Sequence, residues 1–271
     1  MKPTCPVCEL SHTEELLRWG TKHSIYVCHN YNLRFSYPLP DDKELFEAYQ
    51  GFLYKKPEVK RIKKEIDSKK KEIVSLFNLS ASDNLKNKTF LDCGAGTGIA
   101  SAAAKALGLD VYLQEIDEKS IEFIQDELGI ETARIVRTLE KLSGKHFDFI
   151  FCDNVIEHDT SPIDFVKKLY GLLNSNGILI IKTPNAGNTD SFLYPYIIVS
   201  CFYRALTLGN SLKNTMHANR QKWWHCEPPI HIYGFSERNL VIIVQRLSIK
   251  DAEISYYQLP FKNIHKEISF V

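Results

Sequence analysis

The sequence lacks an excess of charge of either sign. Its 271 residues carry 34 Lys and Arg against 33 Asp and Glu, which leaves a formal net charge of +1. A protein dedicated to nucleic acid usually carries a basic surplus, because phosphate neutralisation supplies most of its affinity. The even balance therefore argues against that class, and the ordinary hydrophobic content of 44% excludes a disordered chain.

Long hydrophobic runs are also missing. The longest apolar tract covers residues 192–208 and is interrupted by Pro195 and Arg204, whereas a transmembrane helix needs about 20 apolar residues. The first 15 residues contain no apolar segment of the kind found in secretory signal peptides. We therefore expect a cytoplasmic protein without a membrane span, built as one large domain with small additions.

The cysteine content does not suit a disulfide framework. The chain has seven cysteines, an odd number, whereas disulfide-rich proteins are usually small secreted domains with paired cysteines. Cys5, Cys8 and Cys28 fall within the first 28 residues, and the other four are scattered through segments that look like core. We expect free thiols in a reducing compartment, and the N-terminal three are candidate metal ligands.

Composition divides the chain into three parts. Residues 1–40 form a cysteine-containing lobe, residues 41–85 form a helical segment, and residues 86–271 form the main domain. In the helical segment, apolar residues recur at steps of three, four and seven between Val59 and Leu76, which is typical of one buried helix face. The remainder is densely charged and is interpreted as a solvated face. Attraction of an anionic acceptor is the alternative.

From residue 88 onwards, short strands alternate with helices. Strands are predicted at residues 89–91, 111–115, 134–137, 147–152, 178–182 and 249–256 and near the C-terminus, and helices at 99–107, 120–128, 163–173 and 236–247. This alternation predicts an α/β fold with a mostly parallel sheet of about seven strands and helices on both faces. Asn176 and Gly177 are predicted as the turn before the fifth strand.

Residues 185–230 interrupt this alternation after the fifth strand. An insertion at the carboxyl end of a strand lies over the region where open α/β sheets bind ligands. We expect it to form a lid over an acceptor pocket, with its apolar tract packed inward. A lipid-facing surface for a membrane-borne acceptor is the alternative interpretation of that tract.

The strongest functional signal is the glycine-rich segment LDCGAGTG at residues 91–98. Glycines directly after a strand and before a helix let the backbone turn sharply and approach a ligand closely. A dinucleotide site would have a third glycine where Ile99 stands, and Asp92 would repel a pyrophosphate but suit an ammonium or sulfonium ligand. Glu115 ends the second strand, where its carboxylate can accept hydrogen bonds from both ribose hydroxyls. A nicotinamide-dependent oxidoreductase is the alternative.

The motifs and their order resemble the class I S-adenosylmethionine-dependent methyltransferases. The resemblance rests on the glycine segment, on the acidic strand end at residues 111–117, on residues 147–158 and on the LLNSNGIL segment at residues 172–179. KTPN at residues 182–185 and PIHIYGFS at residues 229–236 are similar to a subgroup that methylates small molecules, including sugars and quinone precursors. The resemblance implies a Rossmann-like fold with S-adenosyl-L-methionine as cofactor.

The resemblance also assigns roles to residues at the ends of four strands. The glycine loop would pass under the methionine part of the cofactor, with Asp92 near its amino group. Glu115 would hold the ribose, and Ile116 would pack on the adenine. Asp153 is equally interpretable as a solvated turn residue. The full predicted cofactor site comprises Asp92, Gly94, Ala95, Gly96, Gly98, Glu115, Ile116, Thr138, Leu139, Asp153 and Asn154.

Methyl transfer from a sulfonium is an in-line displacement, so alignment and water exclusion matter most. A hydroxyl acceptor also needs a base with a pKa near neutrality. His158 is the first candidate base and His231 the second, although each is also interpretable as a structural histidine. We expect the acceptor to be a hydroxyl of a sugar, a nucleotide sugar or another glycan precursor. The alternatives are a quinone or lipid-linked precursor, or a protein that binds the cofactor without turnover.

The N-terminal cysteines resemble a zinc ribbon that precedes the methyltransferase domain in one subgroup. Structural zinc usually has four ligands, and here Tyr31 stands where the fourth cysteine would be. The resemblance implies a structural zinc held by Cys5, Cys8, Cys28 and a histidine. His29 is the first candidate for that histidine, with His12 and His23 as alternatives, and a lobe that has lost its metal is the other interpretation.

Overall fold

Two β-sheets organise the chain. The computed structural model describes residues 2–49, 59–80, 84–187, 195–221, 223–247, 256–258 and 267–270. The N-terminal elements are β1 (Thr13–Trp19), β2 (His23–Cys28), β3 (Arg34–Tyr37), α1 (Asp42–Tyr49) and α2 (Val59–Leu76). The central elements are β4 (Thr89–Cys93), α3 (Ile99–Ala106), β5 (Asp110–Gln114), α4 (Glu118–Leu128), β6 (Ile135–Val136), β7 (Phe147–Asp153), α5 (Pro162–Gly171) and β8 (Leu173–Pro184). The C-terminal elements are α6 (Pro195–Thr207), α7 (Leu212–Arg220), β9 (Tyr233–Gly234), α8 (Glu237–Arg246), β10 (Tyr256–Gln258) and β11 (Glu267–Phe270).

The larger sheet has the strand order β10-β11-β8-β7-β4-β5-β6. The five strands from β8 to β6 run parallel, whereas β10 and β11 are antiparallel to their neighbours. The predicted Rossmann-like fold with a mostly parallel sheet is confirmed. Because parallel strands end at one edge, the residues that follow β4, β5 and β7 lie side by side there. Most of the strand predicted at residues 249–256 lies outside the described residues.

Alternate residues of the central strands face opposite helix layers. Phe90 and Phe149 share a core cluster with α2 and α3 on one face of the sheet. Leu91 and Ile150 pack with α5 and α8 on the other face. This period of two is what strands buried on both faces require. The predicted apolar stripe of α2 is confirmed in the same layer, where Ile73 is buried.

The smaller sheet joins the N-terminal lobe to the main domain. β1, β2 and β3 pair in sequence, and β9, which follows the insertion, pairs with β3. The described part of the insertion packs on this sheet, because Ala205, Ala218 and Trp223 share a core cluster with Leu16 and Ile25. Within the described residues, no helix is long and apolar enough to cross a membrane.

The turn predicted at Asn176 and Gly177 is wrong, because both residues lie inside β8. Leu173 pairs with Phe147, but Ile178 pairs only two residues further along β7, so the residues between them bulge out of register. A Cβ at Gly177 would lie 2.8 Å from the carbonyl oxygen of Phe147. The Asn-Gly pair therefore forms a bulge in which glycine allows the two backbones to approach closely.

Four charged side chains tie α2 to the larger sheet. Lys69 Nζ lies 3.0 Å from Asp153 Oδ2 and 2.8 Å from Glu72 Oε2. Lys182 Nζ lies 2.7 Å from Glu72 Oε1 and 3.0 Å from the same Asp153 oxygen. The four groups form a closed ring of alternating sign, here called the ion ring. Each charge in it faces two opposite charges, which offsets the cost of removing it from water.

We predict that Lys182→Met destabilises the protein by about 3 kcal/mol, because two partly buried carboxylates are then left with one cation between them. The matched control is Lys168→Met, which removes an exposed ion pair with Glu140 and is expected to cost less than about 1 kcal/mol. Urea unfolding followed by circular dichroism measures both free energies. Equal losses in the two variants would contradict a stabilising role for the ion ring.

Candidate functional site

The glycine loop follows β4 at the carboxyl edge of the larger sheet. Gly94, Gly96 and Gly98 have positive φ angles of 69°, 54° and 73°, a conformation that favours glycine. A Cβ at Gly94 would lie 2.3 Å from Val155, and one at Gly98 would lie 2.6 Å from Ile124. Glycine at 94 and 98 therefore lets the loop pack directly on Val155 and Ile124, whereas a Cβ at Gly96 would meet nothing within 4 Å, so the backbone there is open to a cofactor.

Glu115 joins this loop to the end of β5. Its buried carboxylate accepts hydrogen bonds from the backbone amides of Gly96 at 2.5 Å, Ile116 at 2.7 Å and Asp117 at 2.8 Å. Burial raises the pKa of Glu115, and the three amides act in the opposite direction. A carboxylate offers about four acceptor positions, so one remains for a ribose hydroxyl, and a second hydroxyl would have to displace an amide. The Ile116 side chain is exposed beside it, where adenine is predicted to pack.

Asp92 is buried at the end of β4, just before the loop. Its Oδ2 accepts a hydrogen bond from Ser101 Oγ at 2.6 Å. Sequence analysis missed this contact, although Ser101 lies on the helix that directly follows the loop. Burial raises the pKa of Asp92 to about 6, while Ser101 and the Lys69 cation act to lower it. Asp92 is therefore ionised at neutral pH, and a cationic amino group is the kind of ligand that stabilises such a charge.

Asp153 and Asn154 follow β7 at the same edge. Asp153 accepts from both lysines of the ion ring, and these cations lower its pKa although burial alone would raise it. Asn154 has a left-handed φ of 57°, and its backbone N–H donates to Lys182 O at 2.9 Å. Asp153 is thus a paired carboxylate rather than a solvated turn residue. The ion ring escaped sequence analysis because its members come from three separate segments.

Ala95, Thr138 and Leu139 are the remaining residues of the predicted cofactor site. The backbone amide of Ala95 donates to Gln114 O at 3.0 Å, which ties the loop to β5. Thr138 is exposed and Leu139 is half-buried after β6, the neighbour of β5 in the sheet. All the predicted cofactor residues therefore lie in, or directly after, the carboxyl ends of β4, β5, β6 and β7.

The two predicted catalytic histidines lie against each other. The ring centroids of His158 and His231 are 4.8 Å apart, although the residues are distant in sequence. His158 Nδ1 donates to Ile230 O at 2.9 Å, and a second backbone hydrogen bond, to Asn154, also acts to raise the pKa of the ring. Burial lowers the pKa of His158. Its imidazole is therefore neutral at neutral pH, the state that a general base requires.

Two further side chains at this position were missed by sequence analysis. Glu157 is buried, accepts a hydrogen bond from Thr183 Oγ1 at 2.9 Å, and has its other oxygen 4.0 Å from His158 Nε2. Tyr49, the last residue of α1, packs its ring edge-on against His158 at 5.9 Å. Burial, followed by the nearby Glu157 charge, raises the pKa of Tyr49. The position of Glu157 beside His158 in the sequence was an available signal, whereas nothing in the sequence connects Tyr49 to this site.

Cys5, Cys8 and Cys28 converge beside the smaller sheet. Their sulfurs lie within 4.8 Å of one another, with 3.6 Å between Cys8 and Cys28. Tetrahedral Zn–S bonds of about 2.3 Å would place neighbouring sulfurs about 3.8 Å apart. Cys5 and Cys28 each begin a similar turn, in which Glu9 and Asn32 have positive φ and donate their backbone N–H back to the cysteine carbonyl. The three thiols therefore fit zinc in donor type and spacing.

The predicted histidines do not join the three thiols. The rings of His29 and His12 are tilted against each other with centroids 5.1 Å apart, and neither they nor His23 belong to either of the two metal-competent groups among the described residues. Tyr31 holds the position in the second turn that Cys8 holds in the first. The geometry therefore supports a three-thiol site and leaves the predicted role of His29 without a structural basis.

A family model described as a methyltransferase domain matches residues 63–247, more than half of the chain. The chain belongs to this methyltransferase domain family. The solved structure of the plantazolicin methyltransferase BpumL in complex with SAH is similar, with a TM-score of 0.50, 14% identity and coverage of 85% of this chain and 89% of that chain. At this identity the likeness concerns the fold alone. Family and fold confirm the predicted class, the S-adenosylmethionine-dependent methyltransferases, whose cofactor the site residues fit.

The curated relatives match shorter stretches. A ubiquinone biosynthesis O-methyltransferase of Pelagibacter ubique is 33% identical over 145 residues, which cover 52% of this chain and 60% of that protein. One from Rickettsia felis is 30% identical over 107 residues, covering 38% and 44%. A ribosomal protein L11 methyltransferase of Fusobacterium nucleatum is 28% identical over 115 residues, covering 40% and 36%. The chain thus spans 60% or less of the length of each of these relatives.

We predict that the affinity for S-adenosylhomocysteine is constant above about pH 7 and falls below pH 6, because Asp92 must then lose a proton to pair with the amino group. Asp92→Asn should weaken binding about tenfold at neutral pH and remove this pH dependence. Isothermal titration calorimetry measures both, with the exposed Asp126→Asn as matched control.

The Asp92→Asn variant also separates binding from folding. A carboxyl whose pKa is raised on folding lowers stability progressively as the pH rises from its unfolded to its folded pKa, and the full loss is present above the folded value. The variant should therefore be at least as stable as the native chain above pH 6, where it lacks the buried charge. An unchanged pH dependence of binding in the variant would contradict the assignment of Asp92.

We predict that the purified protein carries one zinc ion per chain and that Cys28→Ser removes it, because two thiolates rarely suffice for structural zinc. Cys201→Ser, which alters a half-buried thiol elsewhere, is the matched control and should retain the metal. Mass spectrometry of the metal content distinguishes the three proteins. Equal zinc in the native protein and in Cys28→Ser would show that the thiol cluster does not hold it.

Proposed function

We propose that the protein transfers the methyl group of S-adenosylmethionine to a hydroxyl of a small-molecule acceptor, and that this hydroxyl is the phenolic group of a quinone precursor. The observation that carries the proposal is the buried, neutral His158, whose Nδ1 donates to Ile230 O, so that Nε2 is the nitrogen proposed to accept the proton. It follows β7 at the edge that holds the glycine loop, as a proton acceptor for a bound hydroxyl should.

The acidity of the acceptor favours a phenol over a sugar. A phenolic hydroxyl has a pKa of about 10, whereas an aliphatic hydroxyl is closer to water, at about 16. Burial has already lowered the pKa of His158, which makes it a weaker base. The difference between the pKa of the hydroxyl and that of the base is smaller for a phenol than for a sugar. General base catalysis is most efficient when this difference is small.

The surroundings of His158 favour a planar acceptor. Three rings form a row. The ring of His158 lies between that of Tyr49, with centroids 5.9 Å apart, and that of His231, with centroids 4.8 Å apart. Such a row of rings can pack against an aromatic acceptor with little loss of side-chain freedom. A sugar, which carries hydroxyls on both faces, would leave several of them without polar partners against these rings.

The relatives support the same choice. The two ubiquinone biosynthesis O-methyltransferases named above are at least 30% identical over the aligned residues. They favour the quinone-precursor alternative over the sugar hydroxyl that the sequence analysis put first. Both the ribosomal-protein enzyme and the quinone enzymes match less than two thirds of their length, so the acceptor assignment depends chiefly on the site.

In the proposed reaction, separate residues bind the cofactor and accept the proton. When bound, S-adenosylmethionine supplies the methyl group, and its sulfur keeps the electron pair of the broken bond while the acceptor oxygen forms the new one. Asp92 and Glu115 would hold the amino group and the ribose, which fixes the direction of attack. His158 Nε2 takes the acceptor proton and returns it to solvent, and the buried Glu157 stabilises the imidazolium that forms.

We predict that catechol-type phenols are methylated and that nucleotide sugars are not, when product formation is followed by mass spectrometry. His158→Asn should lower kcat about 100-fold or more with little change in S-adenosylhomocysteine binding, because only proton transfer is lost. The native kcat/KM should rise with pH and level off with a midpoint below about 6.5, since burial lowers the pKa of the base.

The matched control is His146→Asn, which alters an exposed histidine far from the cofactor edge and should leave kcat unchanged. Methylation of nucleotide sugars but not of phenols would overturn the acceptor assignment. Full activity in His158→Asn would overturn the assignment of the base.

A further inference from the structure

The outward face of α6 is apolar although it packs against nothing in the described residues. Val199 and Tyr203 are 66% and 72% exposed, and Leu206 continues the same face one turn further. Ala205, on the opposite face, is buried against the smaller sheet. The exposed set recurs at steps of four and three, so it forms one stripe along the helix. A surface helix of a globular protein normally presents polar residues at these positions.

The same pattern continues on α7. Leu212 and Met216, one helical turn apart, are half-exposed, while Thr215 and Ala218 are buried. Because the inner faces of both helices pack towards the smaller sheet, their outer faces share the side that points away from it. The α6–α7 outer face, defined by Val199, Tyr203, Leu206, Leu212 and Met216, is therefore an apolar surface of the kind that marks a docking site.

The charged residues of the two helices themselves are all basic. Residues 195–221 contain no Asp or Glu. Lys213 and Arg220 are exposed on α7, and Arg18 joins them through backbone hydrogen bonds to Asn210 in the turn between the helices. Among the described residues these three cations form no ion pair. The rim of the outer face is thus positively charged.

The acids nearest to this rim are already engaged. Glu14 lies 3.2 Å from His217 Nε2, and Glu227 accepts both of its hydrogen bonds from Arg204 at 2.8 Å. Arg204 also lies over the ring of Trp19, at 4.9 Å. These contacts fix Arg204 towards the body of the protein. Among the described residues, Lys213, Arg220 and Arg18 therefore form no ion pair with these acids.

We propose that the α6–α7 outer face docks on an anionic lipid surface. Apolar side chains flanked by Lys and Arg, without acids, are the combination that binds at the interface of an anionic bilayer. A second copy of this chain is a poorer occupant, because a two-fold contact would bring Lys213, Arg220 and Arg18 of both copies together. The charge pattern therefore selects the lipid over self-association.

The proposal rests on the proposed function, because a quinone precursor with an apolar tail is held in a bilayer. Helices α6 and α7 form a hairpin that follows β8 in the chain, and β8 ends at the edge that holds the glycine loop and the two histidines. Arg204 of α6 donates to Glu227, whose backbone pairs with His231, so docking through this surface would hold the segment that carries the second histidine near the lipid. The acceptor is then a phenol that is held in a lipid surface, which is a narrower class than phenols in general.

The test is co-sedimentation of the full chain with vesicles, in the absence of cofactor and acceptor. We expect binding to vesicles of phosphatidylcholine with one third phosphatidylglycerol, and much less to phosphatidylcholine alone. The double variant Val199→Ser, Tyr203→Ser should lose binding to both. Lys213→Gln with Arg220→Gln should weaken binding to the anionic vesicles by roughly tenfold or more, and high salt should reproduce that loss in the native chain.

The matched control is Tyr170→Ser, which removes an exposed tyrosine from α5 and should bind as the native chain does. Circular dichroism checks that each variant is folded, which exposed positions should allow. Absence of vesicle binding, or binding that both double variants retain, overturns the proposal. So does a dimer in solution that Val199→Ser, Tyr203→Ser dissociates without any binding to vesicles. A protein that binds vesicles but methylates no phenol would refute the proposed function alone.

Discussion

Burial of carboxylates at the carboxyl edge of the larger sheet is the constraint on which the rest of the site depends. A carboxylate removed from water is costly unless hydrogen bonds or cations replace its hydration. Each acid here has a different partner. Backbone amides donate to Glu115, Ser101 donates to Asp92, Thr183 donates to Glu157, and two lysines pair with Asp153. Because these partners come from different elements, none of the elements can move without exposing or stranding a charge. The edge is therefore organised before any ligand arrives, which is what alignment of a donor and an acceptor requires.

Features of this edge that depend on local pattern could be predicted from the sequence, and features that depend on pairing could not. The glycine spacing and the strand that ends at Glu115 are local, and both lie where they were expected. The contact between His158 and His231 requires a loop to return across the sheet, and no spacing rule encodes that. Asn176 and Gly177 were misassigned for the same reason, because the pair can form a turn or a bulge and only the register with β7 decides between them. The ion ring is the extreme case, since it joins a helix that precedes the sheet to the ends of two strands.

The cysteine lobe shows how packing can stabilise a turn that lacks a metal ligand. Tyr31 O accepts a hydrogen bond from Asn239 at 2.6 Å, and the Arg238 guanidinium lies 5.2 Å from the Tyr31 ring. The second cysteine turn is thus held by α8 of the main domain at the place where a fourth ligand would stand. Because β9 also pairs with β3, the lobe is held by strand pairing and by contacts to α8, whether or not the three thiols bind a metal. If the proposed zinc is present, its removal should therefore loosen the turn locally and leave the sheet pairing intact.

The acceptor chemistry and the charge pattern of the hairpin point to the same kind of molecule. In the proposed function, a weak, buried base such as His158 favours an acidic hydroxyl and a row of aromatic rings favours a planar one, which together are the reason for proposing a phenolic acceptor. Phenols of this kind that carry long apolar tails do not diffuse in water, and an enzyme can meet them only where they are dissolved. A hairpin that lacks acids and exposes Val199 and Tyr203 would be unfavourable on a fully solvated surface. The exposed apolar face is explained if it contacts lipid. The apolar tract then need not close over the pocket, because bringing the edge of the sheet to the acceptor achieves the exclusion of water that a lid would otherwise supply.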